Sequence, residues 1–136
     1  MSFRILYEDQ DLVVASKPGG LLMHRTGISR DRVFFLQELR NQLGGRWLYP
    51  VHRLDRATSG AVAFGLSSDS ARALQAAMQG EGCQKHYLAL VRGEPPEAGT
   101  VDRPLKSDQG VPQAAETRFI RLLRVDFGEG HVCCLV

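Results

Sequence analysis

Lysine is scarce in this chain. Of its 17 basic residues only Lys17, Lys85 and Lys106 are lysines, which leaves 14 arginines. The bias admits two readings: a preference for the planar guanidinium fork that suits phosphates and bases, or arginine-rich codon usage. Long apolar runs are missing too. The longest, Val132–Val136, has five residues, whereas a membrane span needs about 20. A spanning helix is excluded, and no membrane partner is expected. Met1-Ser2-Phe3-Arg4 holds no apolar core for a signal peptide, so the expected compartment is the cytoplasm. The three cysteines, Cys83, Cys133 and Cys134, form no C-x-x-C pair and are expected as buried, reduced thiols. His24, His52, His86 and His131 show no metal-ligand spacing, so no metal site is expected. Phosphate-cradling glycine loops and a G-x-S-x-G elbow are also lacking, which argues against nucleotide binding and serine hydrolysis.

What remains is ordinary for a folded domain. Hydrophobic residues make up 43%, charged residues 24%, and the net charge is +2 over 136 residues. That length suits one domain, residues 1–136, and the charge is only weak support for a polyanionic partner. The pattern predicts strands over Ile5–Tyr7 and Leu12–Ser16, then a break at Lys17-Pro18-Gly19-Gly20. Val33, Leu36, Leu39 and Leu43 predict a helix over Asp31–Leu43, capped by Ser29 or Asp31 and stopped by Gly44-Gly45. Leu48–Val51 and Ala61–Leu66 read as extended. A second helix is predicted over Asp69–Gln79, with Ser67 or Ser68 as cap, Ala71, Leu74 and Met78 inward, and Gly80 as stop. Further strands are expected over Gln84–Gly93, Thr100–Leu105, Glu116–Asp126 and Gly130–Val136. The last is apolar and ends the chain. Read as an open edge, it invites self-association and suggests a chain cut short.

Reactive groups are densest in His52-Arg53-Leu54-Asp55-Arg56-Ala57-Thr58-Ser59-Gly60. Asp55 stands between two arginines, and cationic neighbours keep a carboxylate ionised. An ionised, positioned carboxylate serves as nucleophile or base. Thr58 and Ser59 offer hydrogen bonds or a turn cap, and Gly60 a tight exit. On the residues alone, a solvated turn with incidental ion pairs is the favoured reading.

The order of several segments changes that balance. His52-Arg53-Leu54-Asp55 followed by Thr58-Ser59-Gly60 resembles the H-R-L-D-x-x-T-S-G signature of the RluA-type pseudouridine synthase family. Lys17-Pro18-Gly19-Gly20-Leu21-Leu22-Met23-His24 is similar to the family's K-P-x-G-h-h-h-H loop, where h is apolar. Lys85–Gly93 resembles its K-x-Y-x-A-x-V-x-G strand, and Ala115-Glu116-Thr117 its A-x-T element. The four stand in the family's order over nearly the whole chain. His24-Arg25 and Leu66-Ser67-Ser68 are most similar to the branch that modifies uridine 65 of transfer RNA.

The resemblance implies an α+β fold: a mixed, largely antiparallel sheet with flanking helices, here the N-terminal portion of the synthase catalytic fold. It implies isomerisation of a uridine in RNA, transfer RNA ahead of ribosomal RNA, with no cofactor and no metal. Asp55 matches the attacking carboxylate, Arg53 the arginine that enters the space of the flipped uridine, and Tyr87 the tyrosine packed on the base. His52, Lys17 and His24 fall at RNA-contacting positions, with Thr58, Ser59 and Gly60 shaping the site. The family's later basic segment, which supplies the carboxylate's ion-pair partner, is not among these residues. The catalytic domain is thus expected to be incomplete at its C-terminus. A ribosomal-RNA synthase and a non-catalytic RNA-binding remnant of the same fold stay open as alternatives.

Overall fold

The computed structural model describes residues 2–25, 30–107 and 109–136. They fold as two compact units, Met1–Gln84 and Lys85–Val136. Among the described residues all strand pairings are antiparallel. With two helices beside them, the class is the expected α+β. No described helix is long and apolar enough to cross a membrane.

The first unit contains β1 (Ile5–Glu8), β2 (Leu12–Lys17), α1 (Phe35–Gln42), β3 (Tyr49–Pro50), β4 (Gly60–Gly65) and α2 (Ser68–Gln79). The sheet order is β1-β2-β4-β3. Asp9 makes the β1–β2 turn, accepting the N–H groups of Asp11 and Leu12, each at 2.8 Å. Strand alternation then sends Val13, Ala15 and Lys17 of β2 to the buried face. Val62 and Phe64 of β4 meet Phe35 and Leu39 of α1, with Phe3, Leu48 and Leu54 closing the core. The Phe35 ring meets that of Phe3 edge-on, 4.8 Å between centroids, a favoured aromatic geometry.

Helix α1 is shorter than the pattern predicts, and its start is built differently. Asp31 does not cap it, and Ser29 lies outside the described residues. The N-cap is Phe34, with no side-chain bond. Phe35 and Leu36 donate their N–H groups instead to the carbonyls of Leu22 and Met23, at 2.8 and 3.0 Å. The preceding loop thus satisfies donors that a helix start leaves orphaned. The end is as expected: Gly44 and Gly45 take φ of 72° and 83°, and Gly45 N–H returns to Arg40 O. Helix α2 carries the expected Ser67 cap, extended to a capping box with Ser70.

Gly65 fixes how closely α2 lies on β4. A Cβ there would stand 2.5 Å from Ala71 N and 2.7 Å from Ala71 Cα. Those are backbone atoms, so the helix itself would have to move. Gly65→Ala is therefore expected to cost about 1–3 kcal/mol, read as a lower denaturant midpoint with an unchanged slope.

Among the described residues of the second unit the regular elements are strands. Its elements are β5 (Leu90–Arg92), β6 (Ala98–Asp102), β7 (Leu105–Lys106), β8 (Pro112–Gln113), β9 (Glu116–Ile120), β10 (Leu123–Asp126) and β11 (Val132–Leu135). They pair as β10-β11-β5, β6-β9 and β7-β8. The long strand expected over Glu116–Asp126 is broken in two because its partners change. Arg121 N–H goes to Glu97 O beside β6, and Leu122 N–H goes to Leu135 O of β11. Arg121 Nη1 holds the break, donating to Glu94 Oε1 at 3.1 Å and Pro95 O at 2.9 Å.

The strand expected from Gln84 is observed over Leu90–Arg92, where it pairs with β11, and Ala89 and Val136 exchange N–H···O bonds of 2.9 Å beside it. The terminal strand is no open edge either. β11 lies in the centre of its sheet with both sides paired, so the edge-strand argument for self-association loses its premise. Of the cysteines, all free, Cys134 is buried while Cys83 and Cys133 are half-buried, less enclosed than expected.

Candidate active site

The reactive loop connects β3 to β4, and three residues anchor it. His52 comes first. β3 pairs with β4 only through Tyr49 and Pro50, and beyond that the His52 side chain replaces backbone: its Nε2 accepts Ala63 N–H at 3.0 Å. An accepting Nε2 places the ring proton on Nδ1. Leu54 is the second anchor, buried in the core. Gly60 is the third: its φ of 146° disfavours any side chain, although a Cβ there would meet only Leu54 Cδ1, at an ordinary 3.5 Å. Between them Arg53, Asp55, Arg56 and Ser59 are exposed and Thr58 is half-buried. His52→Ala would strip the acceptor from Ala63 N–H, and a loss of about 1–3 kcal/mol is expected. Hydrogen exchange at the Ala63 amide should accelerate with it; unchanged protection would show that the imidazole is dispensable.

Beneath the loop lies Lys17, which is fully buried. Its register partner is Gly60, so the ammonium sits under the turn. Nζ donates to Thr58 O at 2.7 Å, Pro18 O at 3.0 Å, Asp55 O at 3.1 Å and Arg56 O at 3.3 Å. Burial pushes the Lys17 pKa down, and the Asp55 charge partly restores it. The Lys-Pro-Gly-Gly loop is tied to the same turn from the other side. Gly20 N–H donates to Arg56 O at 2.7 Å, and a Cβ on Gly19 would stand 3.0 Å from Ala57 O. Thr58 N–H closes the turn on Asp55 O at 3.1 Å.

The Asp55 backbone is thus held by Lys17 and Thr58 while its side chain faces solvent. Among the described residues no hydrogen bond or ion pair reaches its carboxylate. The expected flanking by arginines fails for Arg56, whose guanidinium turns away to Asp31 Oδ1 at 3.0 Å and Gly20 O at 3.2 Å. The reason is local: the Asp55–Thr58 turn sends successive side chains in different directions, and Asp31 offers the better partner. Thr58 contributes through its backbone, as donor to Asp55 and acceptor for Lys17.

Other expected site residues are placed elsewhere. Lys17, expected to contact RNA, holds the loop from inside. His24 is exposed beside Arg25 and Arg32 on a separate cavity of the first unit. Tyr87 belongs to the second unit, where it is 59% exposed and lines a groove with Lys85, Arg118, Phe119 and Ile120. Sequence reasoning missed Gly19, Leu22 and Met23 as scaffold. Their contribution lies in backbone positions, and only the Gly-Gly step hinted at it.

Comparison with known proteins gives the family. The family model described as RNA pseudouridylate synthase matches residues 11–127. The tRNA pseudouridine synthase C of Pasteurella multocida is 40% identical over 93% of this chain and 56% of its own length. That of Yersinia pestis is 46% identical over 90% of this chain and 52% of its own. The chain therefore spans about half the length of the curated relatives it matches. Among solved structures, human RNA pseudouridylate synthase domain containing 4 superposes with a TM-score of 0.70 at 26% identity, covering 96% of this chain and 56% of that one. Human RNA pseudouridylate synthase domain containing 1, at 20% identity and a TM-score of 0.74, shares the fold. With the matched segment running through both the Lys17 loop and the Asp55 turn, this chain belongs to the RNA pseudouridylate synthase family.

Proposed function

We propose that this protein isomerises a uridine to pseudouridine in transfer RNA, in the cytoplasm. The observation that carries the reading is the Asp55 turn: an exposed carboxylate on a backbone fixed from below by a buried ammonium. Such a group is pre-positioned without being neutralised, as nucleophilic attack requires. The transfer-RNA assignment is supported by the relatives named as tRNA pseudouridine synthase C.

Asp55 attacks the target nucleoside. The C1′–N1 bond is exchanged for a C1′–C5 bond, one proton leaves C5 and one arrives at N1, so no cofactor is consumed. A uridine in a stem must first leave the stack, at a cost of about a few kcal/mol. Arg53, exposed two residues before Asp55, fills the vacated space. Tyr87 offers its ring face to the uracil. His52 and Lys17 hold the loop that carries Arg53 and Asp55.

Cells lacking the gene are expected to lose pseudouridine at one transfer-RNA position. The intact gene should restore it, and an Asp55→Asn allele should not. Loss confined to ribosomal RNA would reassign the substrate. An unchanged pseudouridine map in both RNAs would overturn the activity.

A further inference from the structure

The first unit carries a second concave site, away from the Asp55 turn. It is a cavity of about 490 Å3 whose lining includes His24, Arg25, Arg32, Gln37 and Arg40. No carboxylate lines it among the described residues. Elsewhere on the first unit Arg46 and Arg56 pair with Glu8 and Asp31. Arg25 and Arg32 have no ion-pair or hydrogen-bond partner among the described residues. Arg40 is the most constrained of the three. Its Nη2 donates to Leu48 O at 2.8 Å, and its guanidinium carbon lies 3.8 Å from the Trp47 ring centroid. Its Nε is buried with no acceptor. A buried donor without an acceptor is rare in folded proteins and calls for an explanation. Three guanidiniums and an imidazole around one cavity, with no carboxylate among its described lining residues, are a donor set suited to an oxyanion.

We propose that this cavity binds a backbone phosphodiester of the RNA substrate. The inference rests on the RNA-modifying function proposed above. A phosphodiester carries one negative charge and two free oxygens, which a planar guanidinium fork receives in bidentate fashion. The contact reads no sequence. It sets the register of the RNA on the first unit, separately from the groups that handle the target base. The arginines are spread over residues 25 to 40, before α1 and along it, so no short motif marks the site.

Two measurements test it. The first is binding of labelled transfer-RNA transcript to the 136-residue chain at a series of salt concentrations, for wild type, Arg32→Gln and Arg25→Gln. Both arginines are exposed and unpaired, so the variants keep the fold. Each is expected to lower the slope of log affinity against log salt by about 0.7–0.9. Arg72→Gln, on α2 beside Asp69, serves as control and should leave the slope at the wild-type value apart from long-range charge. The second is titration with inorganic phosphate, with chloride at matched ionic strength as reference. Trp47, the single tryptophan of the chain, stacks on Arg40 and reports occupancy by its emission. A saturable change in wild type, lost in Arg32→Gln, is expected. RNA binding whose salt slope is the same in wild type and both variants overturns the proposal. A Trp47 response to phosphate without any RNA binding would keep the anion site but remove RNA as its occupant, and with it the function on which the inference rests.

Discussion

Asp55→Asn is expected to reduce isomerisation of uridine in transfer RNA by about four orders of magnitude or more, with RNA affinity unchanged or slightly raised. The asymmetry follows from how the turn is held. Every bond that positions residue 55 uses its backbone: Asp55 O accepts from Lys17 Nζ at 3.1 Å and from Thr58 N–H at 3.1 Å. The carboxylate makes no hydrogen bond that holds the loop and contributes only its charge beside Lys17, so an amide of equal shape keeps the backbone bonds that set the turn. What the amide lacks is a nucleophilic lone pair on an anionic oxygen. Losing an anion beside a polyanionic substrate also removes repulsion, hence the direction of the binding change. Release of tritium from 5-tritiated uridine in a transcript measures turnover, and filter binding measures affinity. An Asn variant that still turns over at a tenth of the wild-type rate would take Asp55 out of the chemistry. Arg56→Gln provides the contrast. Its guanidinium is committed to Asp31 and Gly20, so its loss should change turnover far less.

Much of the first unit was legible in the sequence because its signals are local. The Ser67 cap, the Gly44-Gly45 stop and the strand from Leu12 all depend on signals within a few residues, and all appear where expected. The failures have a common cause: a partner distant in sequence. Helix α1 begins at Phe35 because Leu22 and Met23 supply its acceptors. The stretch after Glu116 breaks because it exchanges one neighbour strand for another at Arg121. Gln84–Leu88 alternates well but lies beyond the paired segment. The site follows the same division. Four ordered motifs marked Asp55 and its loop. They did not distinguish a lysine that meets RNA from one that meets carbonyls, since both roles require only the residue type. Period-two alternation on β2 was the available clue. With Val13 and Ala15 buried, Lys17 falls on the same face and must end inside.

That inside position makes Lys17→Met the substitution with the largest expected effect on stability, a loss of about 2–5 kcal/mol. Methionine matches the stem of lysine in volume, so the core is not left with a hole. The loss comes from the carbonyls that converge on Nζ within 2.7–3.3 Å: Pro18 O and Thr58 O would be stripped of the donor given for them among the described residues, while Asp55 O keeps Thr58 N–H and Arg56 O keeps Gly20 N–H. Part of this is offset, because an ammonium no longer has to be desolvated. Dependence on pH separates this mechanism from simple packing. Burial holds the folded-state pKa of Lys17 below its ordinary 10.5, so folding disfavours the charged form. Between that lowered value and 10.5 the unfolded chain binds more protons than the folded one, and stability rises with pH. Below the window the penalty for burying the charge is fully present; above it the penalty is gone. Tyr7 acts in the opposite sense, since its bond to Asp9 raises the phenol above its ordinary 10.0 and stability falls as the pH passes that value. Tyr7 is common to both proteins and cancels in their difference. Denaturant unfolding of wild type and Lys17→Met from pH 7 to 11 should therefore show a wild-type advantage at pH 7 and a difference that carries the Lys17 slope alone. Equal midpoints throughout would mean that Pro18 O and Thr58 O find other donors, and that the turn presenting Asp55 does not depend on the buried ammonium.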